Sequence, residues 1–77
     1  MEKVILYSMQ GWPACVEIKS FFDEKNVDYE EKDVRKDAQA RNDLIKVYKQ
    51  RSVPTTIIGD EVIVGFREER LKELLDL

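Results

Sequence analysis

A chain of 77 residues with a formal net charge of −3 has room for a single domain over 1–77. Its 13 basic and 16 acidic residues are interleaved, and with no basic block we expect no nucleic-acid partner. No run of about 18 apolar residues occurs, so we expect no membrane span. The start lacks a secretory signal pattern, which predicts a cytoplasmic protein. With no histidine and one cysteine, the chain can form no internal disulfide, and we expect no metal site.

The first third of the chain predicts a strand followed by a helix. Residues 3–8 form a nearly continuous apolar run, which is typical of a strand buried on both faces. Pro13 is favoured as the first residue of a helix, and apolar residues then recur at helical spacing over 13–25. Asn26 is a favoured residue for ending that helix.

The middle of the chain predicts a polar strand and a second helix. Residues 27–34 are rich in charge, which favours a strand at the edge of a sheet, and the charges of 30–37 are interpreted as a solvated surface. Asp37 can cap the helix that follows. The spacing predicts that its buried stripe consists of Ala40, Leu44, Val47 and Tyr48.

The last third predicts a hairpin and a final helix. Residues 55–58 and 61–64 are rich in strand formers, and the Gly59-Asp60 pair between them suits a type II′ turn. A helix is predicted over about 67–75. Its buried face would consist of Leu71, Leu74 and Leu75. A strand, helix and strand must form a right-handed parallel unit, to which the hairpin adds antiparallel strands.

Three local sequences in this order resemble the glutaredoxins and the glutaredoxin-like hydrogen donors of ribonucleotide reductase. Residues 7–15, Tyr-Ser-Met-Gln-Gly-Trp-Pro-Ala-Cys, are similar to the strand, loop and Cys-Pro-x-Cys of that family. Residues 52–55, Ser-Val-Pro-Thr, resemble its Thr-Val-Pro segment with a cis proline, and 64–67, Val-Gly-Phe-Arg, its Gly-Phe-Arg. The resemblance covers essentially the whole chain. It implies an α/β thioredoxin-like fold, with a four-stranded mixed sheet of order 2-1-3-4 and three flanking helices.

The chain departs from the family at its nucleophile. When Pro13 is aligned with the family's proline, Trp12 occupies the place of the first cysteine and Cys15 matches the second. Sliding Cys15 to the first place would lengthen the loop and misplace Pro13. At the third position of a helix a thiol is usually more buried, and apolar burial raises a thiol pKa. Cys15 is therefore predicted to be the catalytic thiol but a slow nucleophile, and a buried core cysteine remains the alternative.

The resemblance also implies a substrate groove. A cis bond before Pro54 would leave the backbone of Val53 free to pair with an extended peptide or with glutathione, whereas an ordinary trans turn is the alternative. Gln50-Arg51 is similar to a family pair that helps to hold a glutathione carboxylate, although Gln50 also suits a solvated helix end. The predicted substrate-binding residues are Trp12, Pro13, Val53, Pro54, Gly65, Phe66 and Arg67.

Two functions follow from these features. The first is a glutaredoxin-like thiol–disulfide redox protein that works through Cys15, with glutathione or protein thiols as partners. It would have no tightly bound cofactor, because the family's cluster-ligating cysteine is replaced by Trp12, and it is predicted to be a monomer. The alternative is a binding module that keeps the cis-proline groove without the chemistry. A structural domain with no ligand is the third interpretation.

Overall fold

The computed structural model describes residues 3–77, which form three helices and four strands in the predicted order. The elements are β1 (Val4–Ser8), α1 (Pro13–Glu24), β2 (Glu30–Asp33), α2 (Ala38–Lys46), β3 (Thr55–Ile58), β4 (Glu61–Val64) and α3 (Glu68–Leu75). The strands form one sheet of order β2-β1-β3-β4, parallel between β1 and β2 and antiparallel elsewhere. The predicted mixed sheet is confirmed.

Two apolar clusters cover the two faces of the sheet. Alternate residues of β1 point to opposite faces, so Leu6 lies in one cluster and Tyr7 in the other. The larger cluster packs the sheet against α1 and α3, and Phe22 and Leu71 in it are completely buried. The smaller cluster packs the sheet against α2 through Leu44. Because β1 and β2 are parallel and β3 is antiparallel to β1, the loops after β1 and β2 and the segment before β3 lie at the same end of the sheet.

The end of α1 explains why the second strand is shorter than predicted. Asn26 has a positive φ of 55°, and the N–H groups of Asn26 and Val27 donate to the carbonyls of Asp23 and Phe22, at 3.2 and 2.8 Å. This is the Schellman arrangement that ends many helices. Because it engages the backbone of Val27, β2 begins at Glu30 instead of residue 27.

The predicted apolar stripe of the second helix is wrong at Val47. The helix ends at Lys46, and the N–H of Tyr48 reaches back to the carbonyl of Asp43 instead of continuing the regular pattern. This change of geometry leaves the Val47 side chain 62% exposed. Tyr48 still packs against the smaller cluster, with its ring centroid 5.8 Å from that of Tyr7.

The hairpin has the predicted geometry. Gly59 has a φ of 59°, while Asp60 does not adopt a positive φ, as a type II′ turn requires. The register that follows pairs Ile57 with Val62, and it places Ile63 in the larger cluster.

Among the described residues, no helix has the length and apolar character needed to cross a membrane.

Candidate functional site

A groove of about 750 Å³ opens where the loop before α1 meets α2 and the segment before β3. Its wall is built from four parts of the chain that are distant in sequence. They are Met9 and Trp12; Val34 and Arg35; Arg41, Leu44 and Ile45; and Arg51, Ser52 and Val53. Apolar and cationic side chains therefore share one concave surface, as in many ligand sites.

Trp12 forms the lip of this groove at the beginning of α1. Its carbonyl accepts hydrogen bonds from the N–H groups of Cys15 and Val16, both at 3.0 Å, but its side chain makes no capping hydrogen bond. The indole is 48% exposed. The described first turn of α1 contains no acidic side chain of its own, and its N–H groups carry the positive end of the helix dipole.

Cys15 lies beneath this lip and is completely buried. Burial raises the pKa of its thiol, and the Glu31 and Asp33 carboxylates add to the rise. A backbone hydrogen bond from Met9 and the positive charge of Lys19 oppose the rise without cancelling it. The resting thiol is therefore protonated at neutral pH and out of contact with solvent, which makes it a poor nucleophile.

A polar network lies beside Cys15, between α1 and β2. The Ser8 hydroxyl is fully buried and donates to a Glu31 carboxylate oxygen at 2.7 Å, and Lys19 forms an ion pair with the same carboxylate. Burial alone would raise the pKa of Glu31, but the hydrogen bonds from Lys19 and Ser8 outweigh it and the pKa is lowered. The carboxylate is therefore charged at neutral pH and keeps its negative field near the thiol.

Asp33 fixes the loop that holds Trp12. Its carboxylate accepts hydrogen bonds from the backbone N–H groups of Gln10, Arg35 and Lys36, at 3.2, 2.8 and 3.3 Å. Burial alone would raise the pKa of Asp33, but these backbone donors lower it. A single side chain at the end of β2 thus joins the loop before α1 to the loop that contains Arg35.

The opposite wall is formed by the segment before β3, where the Val53–Pro54 peptide bond is cis, as the resemblance implied. The Pro54 carbonyl accepts from the Gly65 N–H at 2.8 Å, and the Thr55 hydroxyl donates to the Ser52 carbonyl at 2.7 Å. Within residues 3–77 the backbone N–H and C=O of Val53 have no hydrogen-bond partner. Since Val53 also lines the groove, its backbone is available to an extended ligand.

The structure brings together some of the predicted site residues and separates others. Trp12 and Val53 line the groove, and Pro54 and Gly65 are bonded together behind Val53. The remaining three residues do not line the groove. Pro13 is exposed at the start of α1, and Arg67 is exposed at the N-cap of α3. The ring of Phe66 packs against the core, with its centroid 5.5 Å from that of Phe21. A substrate-binding role stays a prediction for all seven residues.

Sequence reasoning missed Arg35 and Arg41, which line the groove together with Arg51. The charge pattern of 30–37 predicts a solvated surface, and Arg35 is indeed exposed, but the pattern does not show that Arg35 also borders a groove. Arg41 had one signal in the sequence, because it lies four residues before Ile45 and so shares its helical face. No local pattern indicates that these two side chains and Arg51 face one cavity.

A cis proline in a mixed four-stranded sheet, beside the N-terminus of the first helix, defines a thioredoxin-fold protein. This chain belongs to the glutaredoxin family, whose sequence profile matches residues 4–63. It is 30% identical over 71 residues to an uncharacterized glutaredoxin-like 8.6 kDa protein in the rubredoxin operon of Clostridium pasteurianum, covering 92% of this chain and 95% of that protein. Membership connects the chain with thiol redox chemistry in general.

Solved structures agree with this assignment. The thioredoxin-like protein BC3987 is 46% identical, with a TM-score of 0.88 over 94% of this chain and 99% of that chain. The buckwheat glutaredoxin–glutathione complex is 21% identical, with a TM-score of 0.77 over 97% of this chain and 74% of that chain. At that identity the second likeness shows the fold alone. In the described part of the chain, no three histidine, cysteine or acidic side chains cluster as metal ligands would.

Proposed function

We propose that this protein is a one-thiol relative of the glutaredoxins that binds glutathione, or a cysteine-containing extended peptide, in the groove beside Trp12. The observation that supports binding most directly is the unpartnered Val53 backbone in a groove lined by Arg35, Arg41 and Arg51. The backbone would pair with the ligand as an added strand, and the guanidinium groups would bind its carboxylates. Trp12 would cover the ligand from the side of α1.

The chemical step would be a thiol–disulfide exchange at Cys15. The Cys15 thiol loses its proton to solvent, and the thiolate sulfur attacks one sulfur of glutathione disulfide. A new S–S bond forms with Cys15 while the old bond breaks, and the leaving glutathione thiolate takes up a proton. A molecule of reduced glutathione, as its thiolate, then attacks the glutathione sulfur of the adduct, so that the bond to Cys15 breaks, Cys15 leaves as a thiolate and takes up a proton, and glutathione disulfide is released. Since Cys15 is completely buried, this exchange requires the start of α1 to open locally, which makes it slow.

A second candidate function is binding without chemistry, and the burial of Cys15 favours it. In that case the groove holds a peptide or glutathione, and the thiol is a small core residue with a raised pKa. The two candidates differ in one observable property, namely whether Cys15 exchanges in the folded protein.

The deciding experiment is intact mass spectrometry of the reduced protein mixed with excess glutathione disulfide, with Cys15→Ser as the control. One added glutathione in the folded protein, removed again by reduced glutathione, supports the redox function. An adduct that forms only in denaturant contradicts it and supports the binding module. Binding itself is measured separately, by titrating reduced glutathione against the fluorescence of Trp12, which is the only tryptophan.

A further inference from the structure

We propose that the groove recognises an acidic, extended protein segment in preference to free glutathione. This inference rests on the proposed function, because it names the substrate class of the same groove. The wall of the groove contains three positively charged residues. Arg35, Arg41 and Arg51 are solvent-exposed residues that all line the groove, and within residues 3–77 none of them forms a salt bridge.

The acidic residues nearest to these arginines in sequence are engaged elsewhere. Asp33 accepts from three backbone N–H groups, and Asp37 accepts from the N–H groups that begin α2. Asp43 accepts from the side-chain amide of Gln39 at 3.0 Å. The chain has an excess of acidic residues, yet within residues 3–77 none of them forms an ion pair with these three arginines. An anionic ligand is therefore the natural partner for the three arginines.

The number of cations distinguishes a peptide from glutathione. A guanidinium group binds a carboxylate through two parallel hydrogen bonds, so three arginines can engage three carboxylates. Glutathione has two carboxylates and also an ammonium group, which the arginines repel. A segment with three or more aspartate or glutamate side chains can supply a carboxylate to each of the three arginines.

The surface around the groove favours a longer ligand than a tripeptide. Among residues 3–77 the backbone N–H and C=O of Val53 have no partner, so they are available to a strand-like segment. On the other side, Trp12 is 48% exposed and Val16, one turn further along α1, is 55% exposed. A segment that crosses the groove would place an apolar side chain on these two residues and its acidic side chains on the arginines.

The experiment titrates three probes against the fluorescence of Trp12. The first is an acidic peptide of about eight residues with one central leucine and with serine in place of cysteine, which excludes disulfide exchange. The second is the same peptide with glutamine and asparagine in place of glutamate and aspartate. The third is reduced glutathione. We expect the acidic peptide to bind at least about tenfold more tightly than either of the others, and its affinity to fall as salt is added.

Charge variants of the protein test the assignment to the arginines. Arg35→Gln, Arg41→Gln and Arg51→Gln should each weaken acidic-peptide binding about threefold, and the triple variant about thirtyfold, while binding of the amide peptide changes little. Lys25→Gln is the matched control, because it removes one exposed positive charge that lies beside a different cavity, away from the groove. Circular dichroism checks that each variant is folded.

Three binding results would each overturn the inference, as would a complete absence of binding by all three probes. They are equal affinity for the acidic and amide peptides, an equal loss of affinity in Lys25→Gln, and competition by inorganic pyrophosphate at the concentration at which the peptide itself binds, which would indicate a general anion site. The glutathione-adduct experiment is independent of these outcomes, because Cys15 can exchange in a protein with no preference for acidic peptides. Conversely, tight binding of the serine-containing peptide stands even when no adduct forms.

Discussion

Position 12 determines how reactive this chain can be. Trp12 is half exposed at the N-cap of α1, where backbone N–H groups and the helix dipole would stabilise a thiolate. Cys15, three residues further on, is buried and has a raised pKa. The same sulfur chemistry would therefore be fast at one of these positions and slow at the other.

Trp12→Cys should restore a reactive pair. We expect native alkylation at pH 7 to become at least about tenfold faster than in the parent protein, because a thiol at this N-cap ionises near neutral pH. Mild oxidation should then form a disulfide between the introduced thiol and Cys15, seen as the loss of two hydrogens in the intact mass. Trp12→Ser is the control, since it opens the lip of the groove without adding a thiol. If Trp12→Ser accelerates alkylation as much, the rate is limited by access and the argument from the helix terminus is wrong.

At the scale of single elements, the two larger helices begin in different ways. Asp37 accepts hydrogen bonds from the N–H groups of Gln39 and Ala40 at 3.0 and 3.2 Å, whereas Trp12 gives α1 no side-chain cap. The helix that supplies Arg41 and Leu44 to the groove is thus held at its start, and the helix that holds Cys15 is left uncapped. An uncapped first turn is where the local opening needed for exchange at Cys15 would occur.

Asp37→Ala should lower the free energy of unfolding by about 1 kcal/mol, because two N–H groups at the start of α2 lose their partner. Asp37→Asn is the matched control and should retain most of the stability, since asparagine caps helices about as well as aspartate. Urea unfolding followed by circular dichroism measures both. A loss of the same size in both variants would mean that the negative charge, and not the cap, is what stabilises α2.

The third helix depends mainly on one side chain. Leu71 is completely buried in the larger cluster, whereas Leu74 and Leu75 are only partly covered. Leu71→Ala should cost about 2–5 kcal/mol, a large part of the roughly 4–12 kcal/mol expected for a chain of this size. Leu74→Ala should cost clearly less in the same urea titration. Equal costs would show that α3 is held by its whole face and not by Leu71.

The elements were predictable where one residue decides the local geometry. Gly59 determined the hairpin, Asn26 the end of α1 and Asp37 the start of α2, because each adopts a conformation or makes a bond that few other residues allow. Val47 was mispredicted because helical periodicity cannot show that the helix ends one residue earlier. Boundaries of this kind depend on backbone bonds to carbonyls one turn back, which no side-chain pattern reports.

The site was predictable only in part, for a similar reason. The resemblance located Trp12 and Val53, because both lie in motifs that are contiguous in sequence. Arg35 follows β2 and Arg41 lies on α2, and they share a cavity only after the βαβ unit has folded. Convergence of distant residues is a property of the tertiary structure, and a run of charges along the chain predicts exposure without showing which exposed residues share a cavity.

At the scale of the whole molecule, buried and bonded ionisable groups determine the pH range in which the fold is stable. The pKa values of Glu31 and Asp33 are lowered, so their stabilisation is complete above their ordinary values of 4.5 and 3.8 and is lost as the pH falls through the folded-state values. The pKa of Cys15 is raised by burial, and burial raises that of Tyr7 to about 12. The stabilisation from the protonated Cys15 and Tyr7 is complete below their ordinary pKa values of 9.0 and 10.0. It is lost as the pH rises toward their folded-state pKa values.

The free energy of unfolding should therefore be nearly constant between roughly pH 5 and 8 and fall on both sides of that range. Urea unfolding at a series of pH values from acid to alkaline measures it.

Glu31→Gln should flatten the acid side, because the residue that pairs with Lys19 and Ser8 no longer titrates. Cys15→Ala should flatten the alkaline side between about pH 9 and 10, where Tyr7 is still protonated. A parent protein that becomes more stable from pH 8 to 10, or a Cys15→Ala variant with an unchanged alkaline slope, would mean that the thiol is more exposed and more easily ionised than its burial implies. Either result would indicate that Cys15 is a reactive thiol. It would favour the proposed redox function over binding without chemistry.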